Sequence, residues 1–474
     1  MMAPERAASG DLRGRLVRVA RRVASRARRI LGRAASTATS PAGAGGPAGP
    51  VGPVRGAMAE FQAIDTPVLV AVPAFVAVPA RDRPRLTILM PHLQLSRMTG
   101  GPNTILNLTG RLADEGIDLR YVATFGPLDA DQDALRAHLA NLSGSAAAGR
   151  TAELIAGDAP IPVAANEVMM ATWWPTAYAA RDGLARTGVR EFVYFIQDFE
   201  PGFYPWSTNH ALALATYDFP ARAVFNERLL RTHFASAGIG RFGADATEAT
   251  VIAFDPAVDR GLFRRHMAGS DGGAGTDDAA RTDDAAGAAA SARARRLLFY
   301  ARPRNDRNCF ALGLKALRLA AQSGVFDDEP WEFGAIGSDV PELALSDRQV
   351  LRPTGWLGYA DYATLLGGSD LLLSLMLSPH TSYPPIEMAA AGNLVVTNTY
   401  GAKTEAALRA ISPRILGAPP SLDALAERLR EAVALVATDR VPAGDVALPA
   451  TWDEATSAVV PWLATTVRTL AGSP

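Results

Sequence analysis

The residues best suited to chemistry in this chain fall in short, separate stretches. Residues 378–400, SPHTSYPPIEMAAAGNLVVTNTY, hold a single acid, Glu387, among small and apolar residues. Pro384 and Pro385 suit the first turn of a helix, where a missing N–H leaves no bond unmade. Gly392 is placed to stop that helix before a buried strand over 394–397. Such a helix start offers backbone N–H groups and the positive end of a helix dipole to an anion. A carboxylate in its first turn, where Glu387 is expected, accepts hydrogen bonds from a ribose diol; the bland alternative is a capping acid. A second stretch, FYARPRNDRN over 299–308, carries Arg302, Arg304 and Arg307, whose planar guanidinium groups match phosphate oxygens two at a time. The third, YFIQDFEP over 194–201, brings Asp198 and Glu200, either of which can orient or deprotonate a hydroxyl within hydrogen-bond reach, or simply cap a turn. Gly100 and Gly101 form a fourth, where the absence of Cβ lets a ligand approach the backbone.

Elements that would hold these groups alternate between strand and helix. Apolar runs at 86–90, 121–125, 168–172, 192–196, 221–225 and 251–254 read as buried strands, with a helix over about 103–114 and another from Glu227 capped by Asn226. The pattern then repeats, with strands at 297–300, 331–336, 351–355, 371–375 and 394–397 and a helix over 310–321. Alternation of this kind specifies parallel, doubly wound α/β sheets. Each reactive stretch then sits beyond the carboxyl end of a strand, where open α/β sheets bind ligands.

At 474 residues the chain exceeds the roughly 250–300 residues at which single cores stop growing, so two domains are expected, over 82–255 and 296–450. The 47 basic and 48 acidic residues give no global attraction to nucleic acid. A single cysteine, Cys309, excludes an internal disulfide and a cysteine zinc site, and the six histidines lack metal-ligand spacing, so no metal site is expected. Residues 1–55 divide into a basic arm and a Pro/Gly/Ala linker. Leu12, Leu16, Val19, Val23, Ala27 and Ile30 recur at helical spacing among arginines, as in a helix lying on an anionic membrane, although a solvated arm has the same composition. The run 68–80 is broken by Pro73 and Pro79 and is too short to span a bilayer, so it is expected to pack on the first domain. Residues 256–295 cross between domains through a disordered insertion containing TDDAARTDDAAGAAASA.

The segment SYPPIEMAAAGNLVVTN resembles the signature of GT-B glycosyltransferases of the family 4 kind, and the resemblance extends in motif order over 86–462. Taken together, YFIQDFEP, FYARPRNDRN and SPHTSYPPIEMAAAG look like bacterial rhamnosyltransferases that build surface glycans from dTDP-L-rhamnose. The resemblance implies two facing Rossmann-like domains with the site in the cleft between them, and a helix over 451–474, kinked at Pro461, returning to the first domain. It implies that Arg302 faces the donor diphosphate, that Ser382, Tyr383 and Glu387 hold the nucleotide, and that Gly100, Gly101, Gly337 and Thr354 line the donor pocket. Arg304 and Arg307 are read as solvated or helix-start residues, and Tyr359 and Tyr362 as helix packing. Gln197 and Asp198 stand where many members carry a histidine near the reacting sugar, and Asp198 or Glu200 is the candidate to act on the acceptor hydroxyl. The family's usual first glutamate is absent, since Pro379 stands eight positions before Glu387. His380, Thr381 or Ser382 must then supply the sugar contact. The resemblance further implies a cytoplasmic enzyme, on the inner membrane face if the arm binds lipid, with a nucleotide-sugar donor, a glycan or lipid-linked glycan acceptor and no added cofactor. Transfer from GDP-mannose, or a non-catalytic sugar-nucleotide-binding scaffold, are the alternatives.

Overall fold

The computed structural model describes residues 73–263, 294–443 and 445–472. The basic arm, the linker and the insertion expected from the sequence lie outside these residues. Sixteen strands are formed by the described residues. The first nine are β1 (Phe75–Val78), β2 (Arg85–Met90), β3 (Asp118–Ala123), β4 (Glu153–Ala156), β5 (Ile161–Ala164), β6 (Val168–Ala171), β7 (Phe192–Ile196), β8 (Ala221–Asn226) and β9 (Val251–Phe254). They are followed by β10 (Arg295–Tyr300), β11 (Trp331–Ile336), β12 (Leu343–Ala344), β13 (Val350–Pro353), β14 (Leu371–Leu373), β15 (Leu394–Asn398) and β16 (Ile415–Ala418).

Two seven-stranded sheets result, ordered β4-β3-β2-β6-β7-β8-β9 and β12-β13-β11-β10-β14-β15-β16. Every pairing in the first is parallel, and in the second only β12 runs antiparallel to its neighbour. Strands such as β2, RLTILM, are buried throughout because helices cover both faces of a doubly wound sheet. Strand order reverses between β2 and β6 in one sheet and between β10 and β14 in the other. The crevices beyond those carboxyl ends are the natural ligand positions.

The helices that bear on the site are α1 (Gly100–Gly110), α2 (Trp174–Leu184), α3 (Thr208–Ala215), α4 (Arg228–Ala237), α5 (Phe310–Gln322), α6 (Tyr359–Gly367), α7 (Tyr383–Ala390) and α8 (Val459–Ala471). Three differ from the sequence expectation. α1 opens at the glycine pair instead of after it, because Gly100 adopts φ +34° and Pro102 fits the first turn, where its missing N–H has no partner to lose. α4 starts at Arg228, and its cap is Glu227, while Asn226 ends β8. In α8, Pro461 is the third residue and interrupts no hydrogen bond, so the expected mid-helix kink is absent. α8 buries Val459, Val460, Leu463, Ala464, Val467 and Leu470 in the same apolar cluster as Leu86, Ile88 and Val168. β1 pairs in parallel with β5, which places the described end of the 68–80 run beside the first domain.

Candidate active site

The C-terminal half of the site grows from the loops after β10 and β14. Asn308 donates to the Leu375 carbonyl at 3.0 Å and the Leu377 N–H donates to the Arg307 carbonyl at 2.7 Å, tying the two loops together. Met376 is held from the next strand: its N–H donates to Asn398 Oδ1 at 2.7 Å, and its carbonyl accepts from Lys403 Nζ at 2.7 Å. Lys403 is fully buried, and burial pushes its ammonium down to about 8 against the opposing pull of Glu227 and Asp198.

On this frame Arg302 is half-buried and donates from Nη1 to the Tyr300 hydroxyl at 3.3 Å. Gly337 sits beside them at φ +93°, and a Cβ there would stand 2.7 Å from the Tyr300 ring and 3.3 Å from Arg302 Cγ. Only glycine leaves room for that pair. Thr354 turns inward, its hydroxyl donating to the Ala335 carbonyl at 3.0 Å, so it fastens the end of β13 to β11.

Glu387 lies in the second turn of α7, not the first, because the helix already begins at Tyr383. Its carboxylate is buried and accepts from the Tyr362 hydroxyl at 3.0 Å and the Tyr359 hydroxyl at 3.3 Å. Burial raises its pKa to about 7, and the two tyrosine donors oppose the shift. The tyrosines thus do more than the packing expected of them. Ahead of α7, Ser382 takes φ +75° and ψ 148°, a conformation that costs a non-glycine residue on the order of 1–3 kcal/mol. Its N–H donates to His380 Nδ1 at 2.9 Å, and the His380 N–H donates to Ser378 Oγ at 3.0 Å.

The N-terminal domain meets this loop directly. Asp198 accepts from the Ser378 hydroxyl and pairs with Arg307 at 3.1 Å, and the Arg307 guanidinium lies 4.2 Å from the centre of the Phe203 ring. Arg307 is therefore an interdomain residue and not the solvated one expected. Glu227 Oε1 accepts both the Thr381 N–H at 2.7 Å and the Thr381 hydroxyl at 2.6 Å. Tyr383 shares a hydrogen bond of 3.0 Å with Thr104 of α1. Gly101 closes on Gln197, whose amide oxygen would stand 3.0 Å from an added Cβ.

Glu200 takes a different place from Asp198. It is buried inside the N-terminal domain, where its carboxylate accepts the Trp174 N–H at 2.6 Å and caps α2. Burial raises its pKa to about 8, partly offset by the Trp174 bond. That is a helix-capping acid, and of the two only Asp198 reaches across the domain junction, to Ser378 and Arg307. The structure brings Asp198, His380, Thr381, Ser382 and Tyr383 together at the domain junction, and Arg302 beside Gly337. Glu227, Lys403 and Thr104 escaped sequence reading: a glutamate at a helix start reads as a cap, and YGAKT reads as a turn.

Residues 85–228 match the family model described as the WsaF N-terminal domain, and residues 295–430 match the WsaF C-terminal domain, together more than half of the chain. The chain belongs to the WsaF family of GT-B glycosyltransferases. Its two WsaF domains correspond to the two sheets described above. The O-antigen biosynthesis protein RfbC of Myxococcus xanthus is 32% identical over 270 residues. That match takes in 57% of this WsaF-family chain and 18% of RfbC, so the chain spans less than a fifth of that relative. Among solved structures, sucrose-phosphate synthase of Thermosynechococcus elongatus is 12% identical over 82% of this chain and 95% of its own, with a TM-score of 0.46. WaaG, a glycosyltransferase of lipopolysaccharide biosynthesis, is 12% identical over the same shares, with a TM-score of 0.42. No described helix of this WsaF-family chain is long and apolar enough to cross a membrane.

Proposed function

We propose that the chain transfers a deoxyhexose, L-rhamnose from dTDP-L-rhamnose, to a hydroxyl of a growing bacterial surface glycan. The observation that carries this reading is the pairing of two groups in the C-terminal domain: Arg302 beside Gly337, and Glu387 buried against two tyrosine hydroxyls. Arg302 offers paired N–H donors to the diphosphate and offsets the charge that develops as it departs. Glu387 accepts from the 3′-hydroxyl of the deoxyribose. The segment 380–382 reaches the sugar in place of the glutamate missing at Pro379, and Asp198, across the junction, orients the attacking hydroxyl. The surface-glycan acceptor is supported by the resemblance of the motifs and by the similarity to the O-antigen biosynthesis protein RfbC of Myxococcus xanthus.

The test is transfer from dTDP-L-rhamnose, GDP-mannose and UDP-glucose by the full chain and by Arg302→Ala. Turnover of dTDP-L-rhamnose is expected, with kcat falling on the order of a hundredfold in the variant, as for loss of one preorganised donor. The thermal transition should move little, since Arg302 is only half-buried. Preference for GDP-mannose would overturn the donor assignment, and full activity in Arg302→Ala would overturn the phosphate contact.

A further inference from the structure

Trp206 is 95% exposed, on the loop that leads away from Asp198. An indole left in water on a mobile loop would carry no meaning, but this loop is fastened at every step. Asp198 is bonded across the junction, and Phe203 lies under Arg307. The Trp174 indole N–H donates to the Tyr204 hydroxyl at 2.9 Å, and Ser207 caps α3 by accepting the His210 N–H at 3.4 Å. The Trp206 ring itself stacks on His210, with centroids 5.4 Å apart and planes 19° from parallel. His210 is fixed in turn by a 2.9 Å contact between Nδ1 and the Pro201 carbonyl. One indole face is thus backed by an anchored imidazole and the other faces solvent. Trp356, 88% exposed, has no stacked ring behind it.

We infer that Trp206 is a glycan-binding platform, on which a pyranose ring of the acceptor stacks against the open indole face. This rests on the glycosyl-transfer reading above. Two features favour a sugar over an apolar partner. The platform is a single flat ring rather than a contiguous apolar patch, and polar residues Ser207, Thr208 and Asn209 follow it directly. The platform also follows by three residues Phe203, whose ring lies under Arg307 beside Asp198. An aromatic ring held rigidly before binding offers its contact area without further ordering, which is how preorganised sites gain affinity.

The probe is an array of immobilised rhamnose-, mannose- and glucose-terminated oligosaccharides, read with the full chain, Trp206→Ala, Trp206→Phe and His210→Ala. The wild type is expected to bind at least one class. Trp206→Ala should weaken that binding about tenfold, equivalent to about 1.4 kcal/mol of stacking. Trp206→Phe should keep most of it, and His210→Ala should fall between. No glycan binding by the wild type, or equal binding by Trp206→Ala, would overturn the platform. So would loss of binding to phosphatidylglycerol vesicles in Trp206→Ala with glycan binding intact, which would make the indole a membrane contact. Thermal stabilisation by dTDP, measured in parallel, separates this inference from the one beneath it: failure of dTDP to bind would count against the transfer reading while leaving a Trp206-dependent glycan signal standing.

Discussion

Glu387 makes the proposed nucleotide site sensitive to pH in a definite direction. Its folded value, about 7, stands above the ordinary 4.5, so the folded state holds the proton more tightly than the unfolded chain. Its contribution to stability is therefore fully present below about pH 4.5 and declines as pH rises to 7. On the reading proposed above, nucleotide binding runs the other way, because the ionised carboxylate is the stronger acceptor for the 3′-hydroxyl of the deoxyribose. Affinity for dTDP should tighten between pH 6 and 8, and Glu387→Gln should bind several-fold more weakly with a flatter profile. Calorimetric titrations of both proteins at several pH values check this, and parallel profiles would remove Glu387 from the ribose. The sequence exposes Glu387 because it is a lone acid in a small-residue helix. It hides Glu227, which matters as much for the loop at Thr381, because a glutamate in NERLL looks like an ordinary helix cap until the other domain is brought against it.

At the level of elements, the central strands are legible because burial on both faces turns them into unbroken apolar runs. The short strands escape that signal. β12 has two residues, and β4, β5 and β16 have four each, too short to establish a period. Neither does the sequence disclose the ionic cluster that joins β2, β3 and the start of β6. Glu167 is fully buried, pairs with Arg85 at 2.7 Å and with Arg120, and accepts the Ala164 N–H at 2.9 Å. Removing Glu167 leaves the buried Arg85 and Arg120 only the half-exposed Glu153 as counter-ion. Glu167→Ala should lower unfolding free energy by about 3–5 kcal/mol in a urea titration. The cluster lies at the amino ends of the strands, opposite the reactive loops, so dTDP affinity of the folded variant should match the wild type. A variant of wild-type stability would show that the cluster adds nothing net.

Across the whole molecule, two sheets joined at their carboxyl-end loops follow from the alternation of elements, whereas the contacts that join them do not. Asp198 with Ser378, Glu227 with Thr381 and Thr104 with Tyr383 are separated by well over a hundred residues, and no spacing rule links them. α8 is the exception, since its apolar periodicity marks a face that needs a partner. Six of its side chains are buried in the first domain's core. At about 1.5–3 kcal/mol for each large apolar side chain, their loss rivals the 5–15 kcal/mol margin of a typical domain. A chain ending at residue 450 should accordingly lose the first domain's share of the unfolding enthalpy in differential scanning calorimetry, and a profile unchanged from the wild type would refute the dependence.

α8 also orders events on the ribosome. Domains usually complete folding as they emerge, but the core around β2 and β6 waits for residues 459–471, made only after the entire second domain. At roughly 5–20 residues per second that delay is on the order of tens of seconds. During it the nascent first domain presents an open apolar groove, the very surface that chaperones bind, so the yield of this protein in a cell is set in part by what shields that groove until its last strip of chain arrives.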